Sequence, residues 1–499
     1  MKTAIRIILM LLAICMLITA VACGTTTEVK ESETKQGDQP GTTPEETETE
    51  DDKYDEWGRE KIPSPFDVEK TNFDDTVITI IYKTQDRDFV SEDRNGEVVN
   101  DTIFERNLEA EEDLGVILEG RSIDHHDISS TVQTAHLSGT SDFDIVAHYA
   151  YYGTTTALAG CYENLLTEPN LHLDQPYWNQ NYSAVQNINN KQYFAIGSMN
   201  ILVIDRSLGV FFNKSMVKNM GLENPYETVI DGKWTLETLI DYTENSWQDL
   251  NNNDKMDAED YFGLGSSEGY GGWFLPCELT FVTQDEYGYH DLNLDIERAS
   301  DAMDLLITMF KKNNGAFVDQ YGGSDEPVKM FVNDQIMFLV NNVFRNEQFN
   351  AMIRNMSSDY GLIPQPKLDE TQEKYHCWVQ DAYSTMSLMS NCKNKEAACA
   401  AWDYLNYLSY IDLYPAYTEV IVKVKYLRDS ESSKCFDYIV DGAIFDIGEL
   451  YGYEIGDLAH GMCREIINTG NNLVASKYDS NQAKWLANLE KIDDFYFDE

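Results

Sequence analysis

Read along the chain, the hydrophobic positions change character more than once. Residues 7–18 are an almost unbroken apolar run, preceded by Lys2 and Arg6 and followed by the small residues Thr19, Ala20, Val21 and Ala22 and then by Cys23. A positive start, an apolar centre and a small-residue exit predict an export signal over 1–22. The run is too short to span a bilayer, which takes about 20 apolar residues. Over 24–55 the apolar residues give way to Thr, Glu, Asp, Gly, Pro and Lys. Such a stretch buries too little apolar surface to offset the entropy of ordering, and its charges keep it extended. From Phe66 the pattern becomes that of a folded body. Residues 76–82 read as a strand by their β-branched content. Residues 100–114 read as a helix stopped by Gly115. A second strand is predicted at 116–119, a short helix at 129–137 and a third strand at 143–147. Strands alternating with helices predict parallel β-α-β units. Ligands of such sheets sit beyond the carboxyl ends of the strands, here 83–88 and 148–152. Farther on, 201–204 and 208–212 read as two strand-like pieces interrupted by Asp205, Arg206 and Ser207.

Composition narrows the class. Of 499 residues, 42% are apolar and 12% aromatic, which describes a globular chain long enough for two or three domains. The formal charge of −49 excludes nucleic acid as a partner, because that binding depends on neutralising phosphates. It also excludes adhesion to anionic lipid by charge alone. Cys15 falls in the signal. Cys161, Cys277, Cys377, Cys392, Cys399, Cys435 and Cys463 are widely spread and contain no C-x-x-C, so zinc ribbons and redox motifs lack support. They are expected to be buried small hydrophobes, with one disulfide left open and its pairing unreadable.

Three local motifs carry chemistry. Asp249, Asn251, Asn253, Lys255, Asp257 and Asp260 have the spacing of an EF-hand loop, with the Lys255 backbone carbonyl at its seventh position. Asp254 stands where Gly makes the sharp turn, and Asp260 is shorter than the usual bidentate Glu. Two readings stay open: a structural Ca²⁺ site, or an acidic turn held by Asx hydrogen bonds. Gly265-Ser266-Ser267-Glu268-Gly269 matches the G-x-S-x-G nucleophile elbow, but the glycine-rich stretch and Trp-Phe-Leu-Pro that follow make a poor elbow helix. His125 and His126, between Asp124 and Asp127, look metal-like. Adjacent histidines cannot share one strand face, and a solvated turn is the expectation.

A resemblance joins pieces spread over about 70–490. They are F-D-I-V at 143–146 with the aromatics after it, Pro176-Tyr177-Trp178, Asn189-Asn190-Lys191-Gln192-Tyr193, Phe212-Asn213-Lys214, the segment 221–226, Gly232-Lys233-Trp234-Thr235, and Y-G-L-I-P-Q-P-K at 360–367. In this order they resemble an extracellular solute-binding protein of a bacterial ABC importer, from the group that includes sugar-binding lipoproteins. The resemblance implies an α/β fold of the periplasmic-binding-protein type II class, two hinge-connected lobes with a central cleft. Lobe one would hold 66–205 and 388–430, and lobe two 206–387 and 431–499. Crossings are expected near 193–212 and 375–388. The end of the signal resembles a lipobox with Ala20 in place of the usual leucine, which makes Cys23 the lipid-bearing residue and 23–65 an anchor and acidic tether. Ala20-Val21-Ala22 also fits plain secretion.

The implied function is capture of a carbohydrate, an oligosaccharide, or another small solute for a membrane permease. It has no catalytic step and needs no cofactor. The protein is expected to act as a monomer on the outer face of the cell membrane, held only by its lipid. Sugars call for flat aromatics with carboxylates and amides. The candidates are Tyr149, Tyr151, Tyr152, Trp178, Trp273, Trp378 and Tyr383, with Asp86, Arg206, Glu268, Asn341, Asn342 and Asp381. Trp234 and Trp402 are assigned to the core. The alternative on the same scaffold is a surface glycan-acting hydrolase or a receptor without transport.

Overall fold

In the computed structural model the described residues are 53–268, 270–318, 324–344, 347–458 and 460–497. The expected signal, Cys23 and nearly all of the acidic stretch lie outside them. The chain up to Lys61 is one unit, closed in its described part by a bridge between Tyr54 and Glu60 and by an Arg59–Asp55 pair at 2.7 Å. Ile62–Glu499 is the other and is described from here on.

Its first sheet is built from β1 (Thr76–Lys83), β2 (Val116–Ile123), β3 (Ile145–Tyr149) and a strand from far along the chain, Ser384–Leu388, in the order last-β3-β1-β2. β1 is parallel to β2 and β3, as β-α-β crossovers require, and the late strand is antiparallel to β3. Helix α1 (Val98–Leu114) ends where expected, at Gly115, which takes φ 61 at the C-cap. Helix α2 (His125–Ser138) starts four residues earlier than 129 because the Asp124 carboxylate caps it, accepting the His126 N–H at 3.0 Å. The two histidines are therefore the first turn of a helix and not a solvated turn. The third strand runs 145–149 and not 143–147: Asp144 already bonds Thr79 through both its N–H and its carboxylate.

The second sheet contains β4 (Leu208–Asn213), β5 (Phe262–Ser266), β6 (Ala316–Val318), β7 (Ile336–Asn342) and β8 (Tyr360–Pro364), in the order β8-β4-β7-β5-β6. Ser384–Leu388, of the first sheet, is β9. The piece at 201–204 is not a strand. It forms the short helix Leu202–Arg206, in which Ile204 N–H bonds Ile201 C=O at 3.0 Å. A short apolar run cannot be assigned by periodicity alone.

Large aromatics fill the core. Trp234 and Trp402 are wholly buried, as expected. Trp402 lies on α3 (Lys395–Leu408), and its neighbour Asp403 is buried yet fully used. Asp403 accepts from Tyr177 Oη at 2.8 Å, Trp178 Nε1 at 3.0 Å, His172 Nδ1 at 2.7 Å and the His172 N–H at 2.9 Å. The seven cysteines are buried and free, and burial pushes the thiols of Cys277, Cys377, Cys392 and Cys435 up to about 12. Among the described residues no helix is long and apolar enough to cross a membrane.

Asp403→Ala strands several buried donors at once. We expect it to lower the unfolding free energy by about 3 kcal/mol, measured by urea titration, with Asp403→Asn losing less.

Candidate functional site

The carboxyl end of β1 delivers Lys83, which is buried and committed on three sides. Its ammonium donates to the Ala382 carbonyl at 2.8 Å, lies 3.3 Å from Asp86 Oδ1 and stands 3.6 Å from the centre of the Tyr149 ring. Burial lowers Lys83 to about 8 against the pull of Asp86. Burial likewise raises Asp86, which accepts from Ser384 Oγ at 2.6 Å, and lifts Asp88 to about 7. Tyr149 closes β3, and Tyr151 and Tyr152 fall in the first turn of the helix that follows, Ala150–Leu158.

The three tyrosines face a cleft of about 300 Å³ lined by Tyr149, Tyr151, Tyr152, Asp381, Ala382, Asp457, His460 and Arg464. The last three come from the far end of the chain. That segment is fastened by Thr154 and Thr155, whose hydroxyls donate to Glu454 at 2.8 and 2.6 Å. Below it, Glu449 accepts from His460 Nε2 at 2.6 Å and from the Trp378 indole N–H, and the His460 and Trp378 rings meet edge to face at 4.9 Å. Burial alone would pull the His460 imidazole down, but the bonded Glu449 carboxylate, with Asp381 and Asp457 near, raises it to about 9. Burial raises Asp381 against the pull of His460. Burial, with Asp457 and Asp381 adding to it, takes the Tyr151 phenol up to about 12. The wall thus combines aromatic faces with a carboxyl group and a cationic imidazole.

The structure brings Tyr149, Tyr151, Tyr152 and Asp381 of the expected set together on this wall. Asp86 lies behind it, joined through Lys83. Tyr383 is buried and packs on Tyr182. Arg206 reaches Gln380 at 3.3 Å. Trp378 is buried over Gly272, where a Cβ would come within 2.0 Å of the indole. Asn341 and Asn342 end β7 and are fully buried, and the Asn341 side-chain amide donates to the Asn342 backbone carbonyl at 2.9 Å. Glu268 follows β5 and is half-buried. Trp378 does not line the wall, and neither do the other two expected tryptophans. Trp273 is buried against Phe310 at 5.4 Å. Trp178 is buried against Trp402 at 5.3 Å and borders a separate cavity of about 240 Å³. Their bulk suits the core better than a flat platform, and the Trp178 indole is hydrogen-bonded to Asp403 there. Sequence reasoning missed Glu449, Asp457, His460 and Arg464; no local spacing marks them, because only the tertiary course of the chain brings them here.

The elbow motif does not build a nucleophile. Ser267 is fully buried, its hydroxyl donates to Asn341, and a short 3₁₀ turn, Gly271–Trp273, comes next in place of a long helix. The acidic loop closes on itself. Asp249 accepts the N–H groups of Asn253 and Asp254, Asn253 accepts from Lys255, and the Asn251 and Asn253 amides donate to Asp257. Asn252 and Asp254 take φ 58 and 59. Asp260, at the position that would have to grip a cation from two oxygens, accepts from Trp247 Nε1, Leu250 N–H and Asp257 N–H. The residues therefore fit a cation only in part.

No family model matches the sequence, and no curated protein matches it either. Solved structures do, and the fold is that of two-lobed solute-binding proteins. A sugar transporter protein from Rhizobium etli in an open conformation aligns with a TM-score of 0.53 at 14% identity, over 83% of this chain and 99% of that one. An extracellular solute-binding protein from Staphylococcus aureus in complex with maltose gives 0.52 at 12%, over 84% and 98%. An ABC substrate-binding protein from Listeria monocytogenes in complex with cycloalternan gives 0.50 at 14%, over 84% and 98%.

A pH test follows from His460. Its folded value is raised above the ordinary 6.5 to about 9, so its contribution to stability is complete below 6.5 and fades as pH rises through 9. The stability gap between the wild type and His460→Gln should shrink by about 3 kcal/mol across that window, read from urea melts at several pH values.

Proposed function

We propose that this protein is an extracellular solute-binding protein of an ABC importer, which captures an oligosaccharide in the cleft and passes it to a membrane permease. The observation that carries this reading is the wall of Tyr149, Tyr151 and Tyr152 set against Asp381, Asp457, His460 and Arg464. Apolar sugar faces stack on flat rings, and sugar hydroxyls take charged and amide partners. The similarity to proteins solved with maltose and with cycloalternan supports the same class of ligand. The two sheets would be the cores of the two lobes, divided as 66–205 with 388–430 and 206–387 with 431–499 except that β9, which pairs with β3 in the first sheet, moves to lobe one, and closure about the crossings would trap the ligand. There is no chemical step. The chain would work as a monomer outside the cell, tethered through a lipid on Cys23.

Calorimetry with a panel of maltodextrins and other oligosaccharides is expected to show stoichiometric binding, with no product by chromatography. Tyr149→Ala and Tyr151→Ala should each weaken binding about tenfold. Product formation would favour a hydrolase, and binding of no sugar in the panel would overturn the carbohydrate assignment. Intact-mass measurement of the mature protein is expected to show an acylated residue 23; an unmodified thiol there would remove the anchor.

A further inference from the structure

Where β2 turns into α2, Asp124, His125 and His126 gather outside the wall just described. Each offers one ligand atom, a carboxylate oxygen or an imidazole nitrogen, and these atoms lie within 4.8 Å of one another. The two imidazole rings are 3.8 Å apart, inclined at 40°. His125 Nδ1 is buried and has no hydrogen-bond partner. Its distance to Asp124 Oδ1, 3.8 Å, is too long for a hydrogen bond. A buried ring nitrogen left unpaired is costly and calls for an explanation. Asp124 caps the helix through Oδ1, and its other oxygen is not used by that cap.

A cation can satisfy all three groups together. Two imidazoles and a carboxylate are the donor set of zinc and of neighbouring transition metals, whereas calcium and magnesium take oxygens. The remaining coordination position would stay open to water. The charge of −49 raises the local concentration of divalent cations, and the positive end of α2 opposes one only weakly. We propose that Asp124, His125 and His126 bind a divalent transition-metal ion, zinc by preference. The site borders the cleft: the His125 ring meets Tyr149 at 5.2 Å and 73°, and Tyr149 is part of the wall. Metal binding here requires no sugar, so the proposal stands apart from the carbohydrate reading.

The test is calorimetry and equilibrium dialysis of the full chain with ZnCl₂ alone. The expected result is a single saturable site, a rise in Tm that a chelator reverses, and no competition from CaCl₂. His126 is exposed, so His126→Ala should fold normally and bind zinc more than about tenfold more weakly. His125→Gln should lose affinity likewise, with circular dichroism reporting on α2. Absence of saturable zinc binding by the wild type, affinity unchanged in both variants, or displacement of zinc by calcium would each overturn the proposal.

Discussion

The antiparallel pairing of β9 with β3 is the constraint on which the site depends. Ser384 faces Tyr149 and Leu388 faces Ile145, so a strand more than two hundred residues downstream completes the sheet begun by β1. That register carries Asp381 and Ala382 to the carboxyl end of β1 and β3. The Ala382 carbonyl then meets the Lys83 ammonium, and Ser384 meets Asp86. A slip of one residue would turn every side chain of β9 to the opposite face. It would leave Lys83 and Asp86 buried without these partners, and burial of an unpaired charge is far more costly than a lost surface contact.

Local parts of this architecture were legible in the amino-acid order. The β-branched run of β1 and the Gly115 stop of α1 are short-range signals, and they led to the right elements within a residue or two. The alternation of strands and helices gave the parallel core of the first sheet, and through it the carboxyl-end location of Lys83, Tyr149 and Tyr151. Where a short apolar run lacked a period, as at 201–204, helix and strand could not be told apart. A cap acting through one carboxylate, Asp124, moved a helix start past two histidines.

The cleft was legible only on one side. Tyr149, Tyr151 and Asp381 stand at strand ends or beside a strand that pairs with them, so topology predicts their convergence. Asp457, His460 and Arg464 belong to no strand. They arrive because Thr154 and Thr155 hold Glu454, a contact across three hundred residues that no periodicity announces. The tryptophans misled in the opposite way. Trp178 and Trp273 border glycine- and proline-rich turns, as ligand platforms often do, yet their indoles are worth more inside, where Trp178 satisfies Asp403 and Trp273 covers Phe310.

The seven thiols carry a consequence for handling and for biogenesis. With these seven sulfurs interior and protonated at neutral pH, no cross-link joins the described cysteines, and the fold should mature equally well under reducing or oxidising conditions. Alkylating reagents would find a nucleophile in this body only when it opens, so their slow uptake becomes a clock for native-state breathing, each cysteine timing the region around it.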